Sequence, residues 1–235
     1  MQDSKKETVI LENGALYTPE EVISSGTLIV EAGKISYAGP VNDAPDVHGR
    51  RLDLRGRILI PGLMDIHVHG GHGITFGRID TLEEDLRSYS ARVIEAGVTG
   101  YLTSITHGRA DGLIELVKAY ADLMEAGIPG AEPLGIHLEG PFLNVGKKGA
   151  QNAVWIRDPD PAEALAHLEA GRGWVRQVTM APELPGAHEV AGSYRRAGVV
   201  VAAAHSTADY DTAVHAFSGS WTHISHTFNA MEGLH

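Results

Sequence analysis

Hydrophobic and polar residues alternate over short distances in the first part of the chain. Residues 8–60 contain runs of three to eight residues that are partly β-branched and are separated by turn-forming residues. The runs are TVILEN, ALY, GTLIVEAG, KISYAG, RRLDLRG and RILI. Because such runs are typical of strands joined by tight turns, the pattern predicts a small β-sandwich-like module over residues 1–62.

The pattern changes at Pro61-Gly62. Beyond this point, apolar runs of the buried-strand type alternate with segments whose apolar residues recur at helical spacing. The predicted strands are 63–68, 97–105, 133–140, 174–183, 198–206 and 221–227. Alternating strands and helices are typical of a parallel α/β architecture. The second predicted domain, 63–235, is therefore a partial (β/α) barrel with about six strands.

Local signals mark the starts of two predicted helices, and one long connection has no regular pattern. Thr81 followed by Glu84 has the spacing of a capping box, and Asp160 before Pro161 has the form of an N-cap followed by a first-turn proline. Residues 141–160 show neither a helical nor a strand pattern. Because long ordered loops in compact domains are often functional, this connection is a candidate part of a site.

Polar residues lie at the ends of four predicted strands. The first strand ends in His67 and His69, the third in Glu139, the fifth in His205 and the sixth in His226. Side chains two residues apart on a strand point to the same side, and loops at the carboxyl ends of parallel barrel strands converge on one cavity. One such residue alone is more often a hydrogen-bonded structural group. Five at the same end predict a shared metal site.

The predicted ligands narrow the choice of metal. Imidazole and carboxylate without thiolate suit Zn²⁺ or Fe²⁺, leave Mn²⁺ as an option, and disfavour Ca²⁺ and Mg²⁺. Five ligands exceed the four of a tetrahedral zinc site. Glu139 is therefore a candidate bridge between one ion at His67 and His69 and another at His205 and His226, giving one or two divalent ions. Such ions activate water and polarise carbonyl groups, which favours hydrolysis of an amide, ester or amidine.

Three further polar residues lie near the predicted ligands. Asp65 points to the same side as His67 but lies deeper in the strand, so it is interpreted as structural. His107 ends the second predicted strand and His223 lies within the sixth. Both are candidates to hydrogen-bond the ligands from outside the cluster.

Composition and charge argue against several partners. The 235 residues include 19 Lys and Arg and 30 Asp and Glu, for a net charge of −11, and no basic cluster exceeds a pair such as Lys147-Lys148. Nucleic acid and membrane are therefore not expected partners. The polar start MQDSKKETVI has no signal-peptide core, and 199-VVVAAA-204 is too short to span a bilayer. Together with the absence of cysteine, this predicts a cytoplasmic protein.

Six stretches together resemble one known family. They are PGLMDIHVHGG (61–71), GIHLEGPFL (135–143), KKGAQ (147–151), TMAPE (179–183), AAAHS (202–206) and SHTFNAMEGLH (225–235). In this order they are similar to the N-acetylglucosamine-6-phosphate deacetylases of the amidohydrolase superfamily. The His-x-His stretch is typical of the whole superfamily, whereas HLEGPF, MAPE and HTFNAM are more specific. The resemblance runs from about residue 8 to the last residue and implies a (β/α)8 TIM-like metal-dependent hydrolase barrel.

The resemblance implies a reaction and a set of metal ligands. The family's metal carboxylate falls on Glu139 and its two core histidines fall on His205 and His226. Some members lack the first-strand histidines, but His67 and His69 are present here, so a second metal position is available. The implied reaction removes acetate from N-acetylglucosamine 6-phosphate and yields glucosamine 6-phosphate, a step of amino-sugar catabolism.

The resemblance also implies substrate contacts. The family's backbone contacts to the sugar phosphate fall on Asn229 and Ala230, which suits an acidic chain because backbone N–H groups can hold one phosphate. Ala150 matches a substrate-contacting position in the long loop. Its neighbour Gln151 stands where some members have a histidine, so it would reach the acetamide only through its amide group.

One part of the family's machinery is expected beyond this sequence. The aspartate that carries the proton stands at the end of strand eight in the family, which the resemblance places beyond residue 235. No catalytic residue is therefore expected within the chain. The chain is expected to be a C-terminally truncated fragment with open sheet edges and a small module that lacks its C-terminal strands. The resemblance further implies a homo-oligomer when the protein is full length.

Three alternatives stay open. One is another amidohydrolase, such as an N-acetylgalactosamine-6-phosphate deacetylase or a dihydroorotase-like hydrolase. A second is a non-catalytic metal-binding fragment that keeps the ligands and lacks the proton carrier. A third is a purely structural barrel, which the cluster of polar residues at the strand ends disfavours.

Overall fold

The structure is a computed structural model that describes residues 7–106 and 108–233. Its contacts divide the chain into two compact units, residues 1–62 and 63–235. The strands are β1 Thr8–Tyr17, β2 Val22–Glu31, β3 Lys34–Pro40, β4 Arg50–Asp53, β5 Ile58–Leu59, β6 Leu63–Val68, β7 Gly70–Gly71, β8 Ile74–Thr75, β9 Val98–Thr106, β10 Glu132–Glu139, β11 Val175–Met180, β12 Val200–Ala203 and β13 Trp221–Ile224. The helices are α1 Leu82–Val93, α2 Ala110–Ala126, α3 Pro161–Gly171, α4 Ala187–Arg196 and α5 Tyr210–Phe217.

The first unit contains one sheet of five strands. β1 pairs antiparallel with β2, which pairs antiparallel with β3, while β4 and β5 run parallel to β1. The two predicted runs TVILEN and ALY form a single strand, because the chain passes Asn13 at a positive φ of 61° and resumes pairing after a register shift. Alternating side chains such as Ile10 and Ile29 are buried on one face. The second layer of a sandwich stays a prediction.

The second unit is built on a sheet of six strands in the order β13-β12-β11-β10-β9-β6. Every neighbouring pair in this sheet is parallel. Parallel neighbours need a crossover connection, and one helix supplies it between each successive pair of these strands. The predicted α/β class with six barrel-type strands is confirmed.

A continuous apolar core lies between this sheet and its helices. The strands contribute fully buried residues such as Ile136 and Val178, and α1 contributes Leu86. One face of α1 packs into this core, since Leu82, Leu86, Tyr89 and Val93 are all buried. The two edge strands are less covered: Met64 and Ile66 on β6 are 68% and 44% exposed, and Ile224 on β13 is 48% exposed.

The last two strands are shorter than the sequence pattern suggests. β12 ends at Ala203 and β13 at Ile224, so His205 and His226 each lie two residues beyond a strand. Both residues have left-handed backbone conformations, with φ values of 50° and 59°. The chain therefore turns out of the sheet before it reaches either histidine.

The helix starts confirm one of two predictions. Asp160 caps α3 by accepting a hydrogen bond from the N–H group of Ala162 at 2.8 Å, with Pro161 in the first turn. The capping box at Thr81 is wrong. The Thr81 hydroxyl donates to Asp85 Oδ2 at 2.6 Å and makes no cap hydrogen bond to the backbone. The carboxylate of Asp85, one turn along α1, is therefore the partner of this hydroxyl.

The cap at Asp160 gives a testable stability prediction. Asp160→Ala is expected to lower the free energy of unfolding by about 1 kcal/mol, because it removes the acceptor for a first-turn N–H group and a favourable charge at the start of α3. Urea unfolding followed by circular dichroism measures the loss. Asp158→Ala, at an exposed acid two residues earlier, is the matched control. An equal loss in the two variants would contradict the capping role.

No helix within residues 7–106 and 108–233 has the length and apolar content needed to cross a membrane. The longest helix, α2, has 17 residues.

Candidate metal centre

Four imidazole groups converge on the carboxylate of Glu139, the last residue of β10. The Nε2 atom of His226 lies 2.6 Å from Glu139 Oε1, and the Nε2 atoms of His205 and His67 lie 3.2 and 3.3 Å from the same oxygen. The Nε2 atom of His69 lies 3.0 Å from Glu139 Oε2. The structure thus brings together all five residues that the strand-end pattern singles out.

The other ring nitrogen of two of these histidines is held by the backbone. His69 Nδ1 lies 2.9 Å from the carbonyl oxygen of Ser104, and His205 Nδ1 lies 2.8 Å from that of Lys147. Because a carbonyl oxygen only accepts hydrogen bonds, each Nδ1 carries the hydrogen. The Nε2 atoms that face Glu139 are then left with a lone pair in the neutral ring.

Electrostatics couple these groups strongly. Burial by itself would lower the pKa values of His69 and His205, but the hydrogen bonds and the charge of Glu139 raise both above the ordinary histidine value. Burial would likewise raise the pKa of Glu139, and the hydrogen bonds from the surrounding imidazoles hold it far below its usual range. Glu139, only 2% exposed, is therefore a buried anion that needs positive charge around it.

The donor set fits a metal cation better than protons. A neutral imidazole lone pair and a carboxylate oxygen are both acceptors, so a proton or a cation must lie between them. Protonating all four rings would place several positive charges around one anion, and His67 Nε2 lies only 3.2 Å from His69 Nε2. One or two divalent cations satisfy all of these acceptors without that repulsion.

The side chains form two groups that share Glu139. One group is His67, His69 and Glu139, and the other is Glu139, His205 and His226. In each group one ligand atom per residue lies within 4.8 Å of the others. Either group could hold a metal ion, and a carboxylate can bridge two ions about 4 Å apart.

The long loop contributes Gln151 to this cluster. Gln151 is 8% exposed, and its Nε2 group donates a hydrogen bond to Glu139 Oε2 at 2.6 Å. The amide thus faces the central carboxylate. Ala150, the preceding candidate, is exposed. The loop itself contains two short 3-10 turns, each begun by an asparagine side chain that accepts a backbone N–H group, at Asn144 and Asn152.

Asn229 and Ala230 lie in a turn that follows His226. The N–H group of Asn229 donates to the carbonyl of His226 at 2.6 Å, and the carbonyl of Ala230 accepts from the N–H group of Ser206 at 3.1 Å. Phe228 and Ala230 have positive φ values of 69° and 50°. The segment is therefore tightly folded against the loop that carries His205.

A buried histidine beneath the cluster was missed by the sequence pattern. His137 is fully buried, with Nδ1 2.8 Å from Ser104 Oγ and Nε2 2.8 Å from Thr179 Oγ1. Its ring packs edge-on against His67, with centroids 4.5 Å apart. Burial, followed by the nearby His67, lowers the pKa of His137 well below its ordinary value. Its position two residues before Glu139 places it on the same side of β10, which was an available signal.

The remaining candidates have different positions. Asp65 is half-buried and its Oδ1 atom accepts a hydrogen bond from the N–H group of His67 at 3.1 Å. The carboxylate therefore contacts the backbone that carries the first ligand. His223 is an exposed residue of β13. His107 lies outside the described residues.

Comparison with known proteins places this geometry in a family. The sequence profile of the amidohydrolase family matches residues 58–235. The chain is 31% identical to the N-acetylglucosamine-6-phosphate deacetylase of Bacillus subtilis (strain 168) over 97% of its length, and 34% identical to that of Homo sapiens over 96%. These alignments cover 58% and 54% of the two relatives. The chain thus spans about half the length of the curated relatives it matches.

Solved structures extend the likeness to the fold. An N-acetyl-D-glucosamine-6-phosphate deacetylase variant from Mycobacterium smegmatis, in complex with N-acetyl-D-glucosamine 6-phosphate, superposes with a TM-score of 0.89 at 32% identity. That match covers 97% of this chain and 58% of the other. The deacetylase from Pasteurella multocida gives a TM-score of 0.82 at 28% identity, covering 95% and 57% of the two chains. The six-stranded parallel sheet thus matches part of a TIM-like amidohydrolase barrel, and the chain belongs to the amidohydrolase family.

Proposed function

We propose that this chain is part of a metal-dependent deacetylase that removes acetate from N-acetylglucosamine 6-phosphate and yields glucosamine 6-phosphate. The observation that carries the proposal is the convergence of four histidines on the buried carboxylate of Glu139. Relatives named for this activity align with 96–97% of the chain. A divalent metal centre of this type is suited to amide hydrolysis.

The proposed metal ligands are the five residues of the cluster. His205, His226 and Glu139 would hold one ion, and His67 and His69 with the same carboxylate would hold a second. Zn²⁺ or Fe²⁺ suits imidazole and carboxylate donors without thiolates. When bound, such an ion activates water and polarises the acetamide carbonyl.

The chain's own groups orient these ligands. The carbonyls of Ser104 and Lys147 fix the tautomers of His69 and His205, so that Nε2 of each ring faces Glu139. Such partners also raise the basicity of an imidazole ligand. Gln151 donates to Glu139 Oε2 and thereby limits rotation of the carboxylate. In this proposal Gln151 lines the acetamide side of the site, and Ala150 contacts the substrate beside it.

The proposed phosphate site is the turn at Asn229 and Ala230. The Asn229 N–H group donates to His226 in this structure, so a phosphate at this turn would compete with the His226 carbonyl for that donor. This would couple binding of the sugar phosphate to the position of a proposed metal ligand. Asp65 Oδ1 accepts a hydrogen bond from the backbone N–H group of His67, so this proposal gives Asp65 a structural role. The proton carrier remains the strand-eight aspartate that the resemblance implies.

Acetate release by the metal-loaded full-length protein that contains this chain tests the proposal. The substrates compared are N-acetylglucosamine 6-phosphate, N-acetylgalactosamine 6-phosphate and dihydroorotate, with ring opening followed for the last. Preference for the glucosamine derivative is expected, with loss of turnover after chelation of the metal. Turnover of another substrate alone would favour a different amidohydrolase. Stoichiometric metal with no turnover of any substrate would favour the non-catalytic metal-binding alternative.

A further inference from the structure

Glu183 is the centre of a hydrogen-bond network beside the metal centre and has no role in the function proposed above. It is the last residue of the TMAPE stretch and lies three residues beyond β11. Its Oε1 atom accepts hydrogen bonds from Asn144 Nδ2 at 2.9 Å, from the N–H group of Thr207 at 2.6 Å and from Thr207 Oγ1 at 3.1 Å. Its Oε2 atom accepts from Ser206 Oγ at 2.6 Å. The carboxylate thus joins three separate loops.

Two of these loops hold His205 between them. Ser206 and Thr207 directly follow His205, and Asn144 begins the short turn Val145–Lys147 of the long loop. The backbone N–H group of Asn144 donates to the carbonyl of His205 at 2.8 Å. The carbonyl of Lys147, at the end of the same turn, binds His205 Nδ1 at 2.8 Å. The long loop therefore fixes both the backbone and the ring of His205.

His205 needs such support because its backbone is in an unfavourable conformation. Its φ of 50° lies in the left-handed region, which non-glycine residues rarely adopt unless the surroundings impose it. The network around Glu183 supplies this restraint on both sides, through Ser206 and Thr207 after His205 and through Asn144 across from it. Among the described residues no lysine or arginine forms an ion pair with Glu183, so neutral donors alone satisfy the carboxylate.

We propose that Glu183 is a positioning residue that holds the His205 imidazole toward Glu139 and thereby sets the metal affinity of the Glu139, His205 and His226 group. Removing the carboxylate would take away the acceptor of the Ser206 hydroxyl and of the Thr207 N–H group. It would leave Asn144 joined to Thr207 only by the hydrogen bond from Asn144 Nδ2 to Thr207 Oγ1 at 2.9 Å. The carbonyl of Lys147 and the ring of His205 would then lose their common alignment. The inference rests on the proposed metal-holding role of His205.

The experiment measures Zn²⁺ affinity by competition with a chelating dye, together with thermal unfolding in Zn²⁺ and in EDTA. Glu183→Ala is expected to weaken Zn²⁺ binding about 10- to 100-fold, the range for groups that orient metal ligands. It should also reduce the rise in Tm that Zn²⁺ produces. Glu183→Gln should stay close to the unaltered chain, because its carbonyl oxygen can accept from Asn144 and Thr207 while its NH2 group faces the Ser206 hydroxyl. Glu189→Ala, at an exposed acid of α4, is the control and should change neither quantity.

A second variant tests the same contact without removing side-chain atoms, so it leaves no cavity. Asn144→Asp keeps the side-chain shape but places a carboxylate against Glu183 Oε1, so it is expected to weaken Zn²⁺ binding as well. Zn²⁺ affinity unchanged in both Glu183→Ala and Asn144→Asp would overturn the inference. An equal fall in Tm with Zn²⁺ and with EDTA would also overturn it, because that result indicates a purely structural role. If the unaltered chain binds no Zn²⁺, it is the proposed metal function that fails.

Discussion

Glu139→Gln should lower the affinity of the chain for Zn²⁺ by more than about a hundredfold. Substitutions of groups that only support a ligand already cost about 10- to 100-fold in metal affinity, and Glu139 is the shared member of both candidate groups. The substitution keeps the size of the side chain but removes the charge that balances the cation. It also replaces one oxygen by an NH2 group that cannot bind a metal. Both candidate sites should therefore weaken together.

Equilibrium dialysis followed by elemental analysis measures this loss. Glu132→Gln is the matched control, since Glu132 is the exposed first residue of the same strand that ends in Glu139. The control should bind as much Zn²⁺ as the unaltered chain. If Glu139→Gln retained one ion with full affinity, a site independent of this carboxylate would have to exist, and the shared arrangement proposed here would be wrong.

The first half of this centre could be predicted from the sequence for sound physical reasons. His67 and His69 lie two apart near the end of β6, and Glu139 ends β10, so alternation along a strand and the parallel sheet bring them together. His205 and His226 were identified for a partly wrong reason. Their strands end two residues earlier, and positive φ values turn each residue toward Glu139. A pattern of apolar residues does not register such turns at non-glycine positions.

The remainder of the centre depends on contacts between loops that are distant in the sequence. Gln151 reaches Glu139 from a loop with no regular pattern, and Glu183 meets Asn144 and Thr207 across separations of 39 and 24 residues. Hydrogen bonds of this kind follow from the packed positions of the loops, which local propensity does not determine. The resemblance identified the stretches KKGAQ and TMAPE, which contain Gln151 and Glu183, as similar to the same family. The contacts that these side chains make came only from the structure.

The raised pKa values of His69 and His205 predict two opposite effects of rising pH. Their contribution to the stability of the metal-free protein decreases, whereas the stabilisation added by a bound metal increases. Without metal, a histidine whose pKa is raised on folding contributes stability that is fully present below about pH 6.5 and is lost as the pH rises through the raised pKa. The lowered pKa of Glu139 contributes stability above about pH 4.3 that is lost only as the pH falls toward its depressed value. The buried neutral His137 acts against the first pair, because its lowered pKa reduces stability below about pH 6.5.

Metal binding should therefore raise the Tm strongly at pH 8 and little at pH 5.5. A metal must displace the protons from its imidazole ligands, so its affinity falls about tenfold for each proton displaced and each unit by which the pH is lowered. Because the pKa values of His69 and His205 are raised, this loss of affinity begins above pH 6.5. At a metal concentration of 100 Kd the bound ion stabilises the fold by about 2.7 kcal/mol, or roughly 5–11 °C for a chain of this size. Thermal scans with and without Zn²⁺ across this range measure the difference.

His188→Gln is the control. It removes a histidine of α4 whose ring packs against that of His215, and it should leave the pH trend of the metal-induced Tm shift unchanged. A metal-induced shift that stays constant from pH 5.5 to 8 would mean that the ion does not compete with protons for His69 and His205, and the cluster around Glu139 would then not be its binding site.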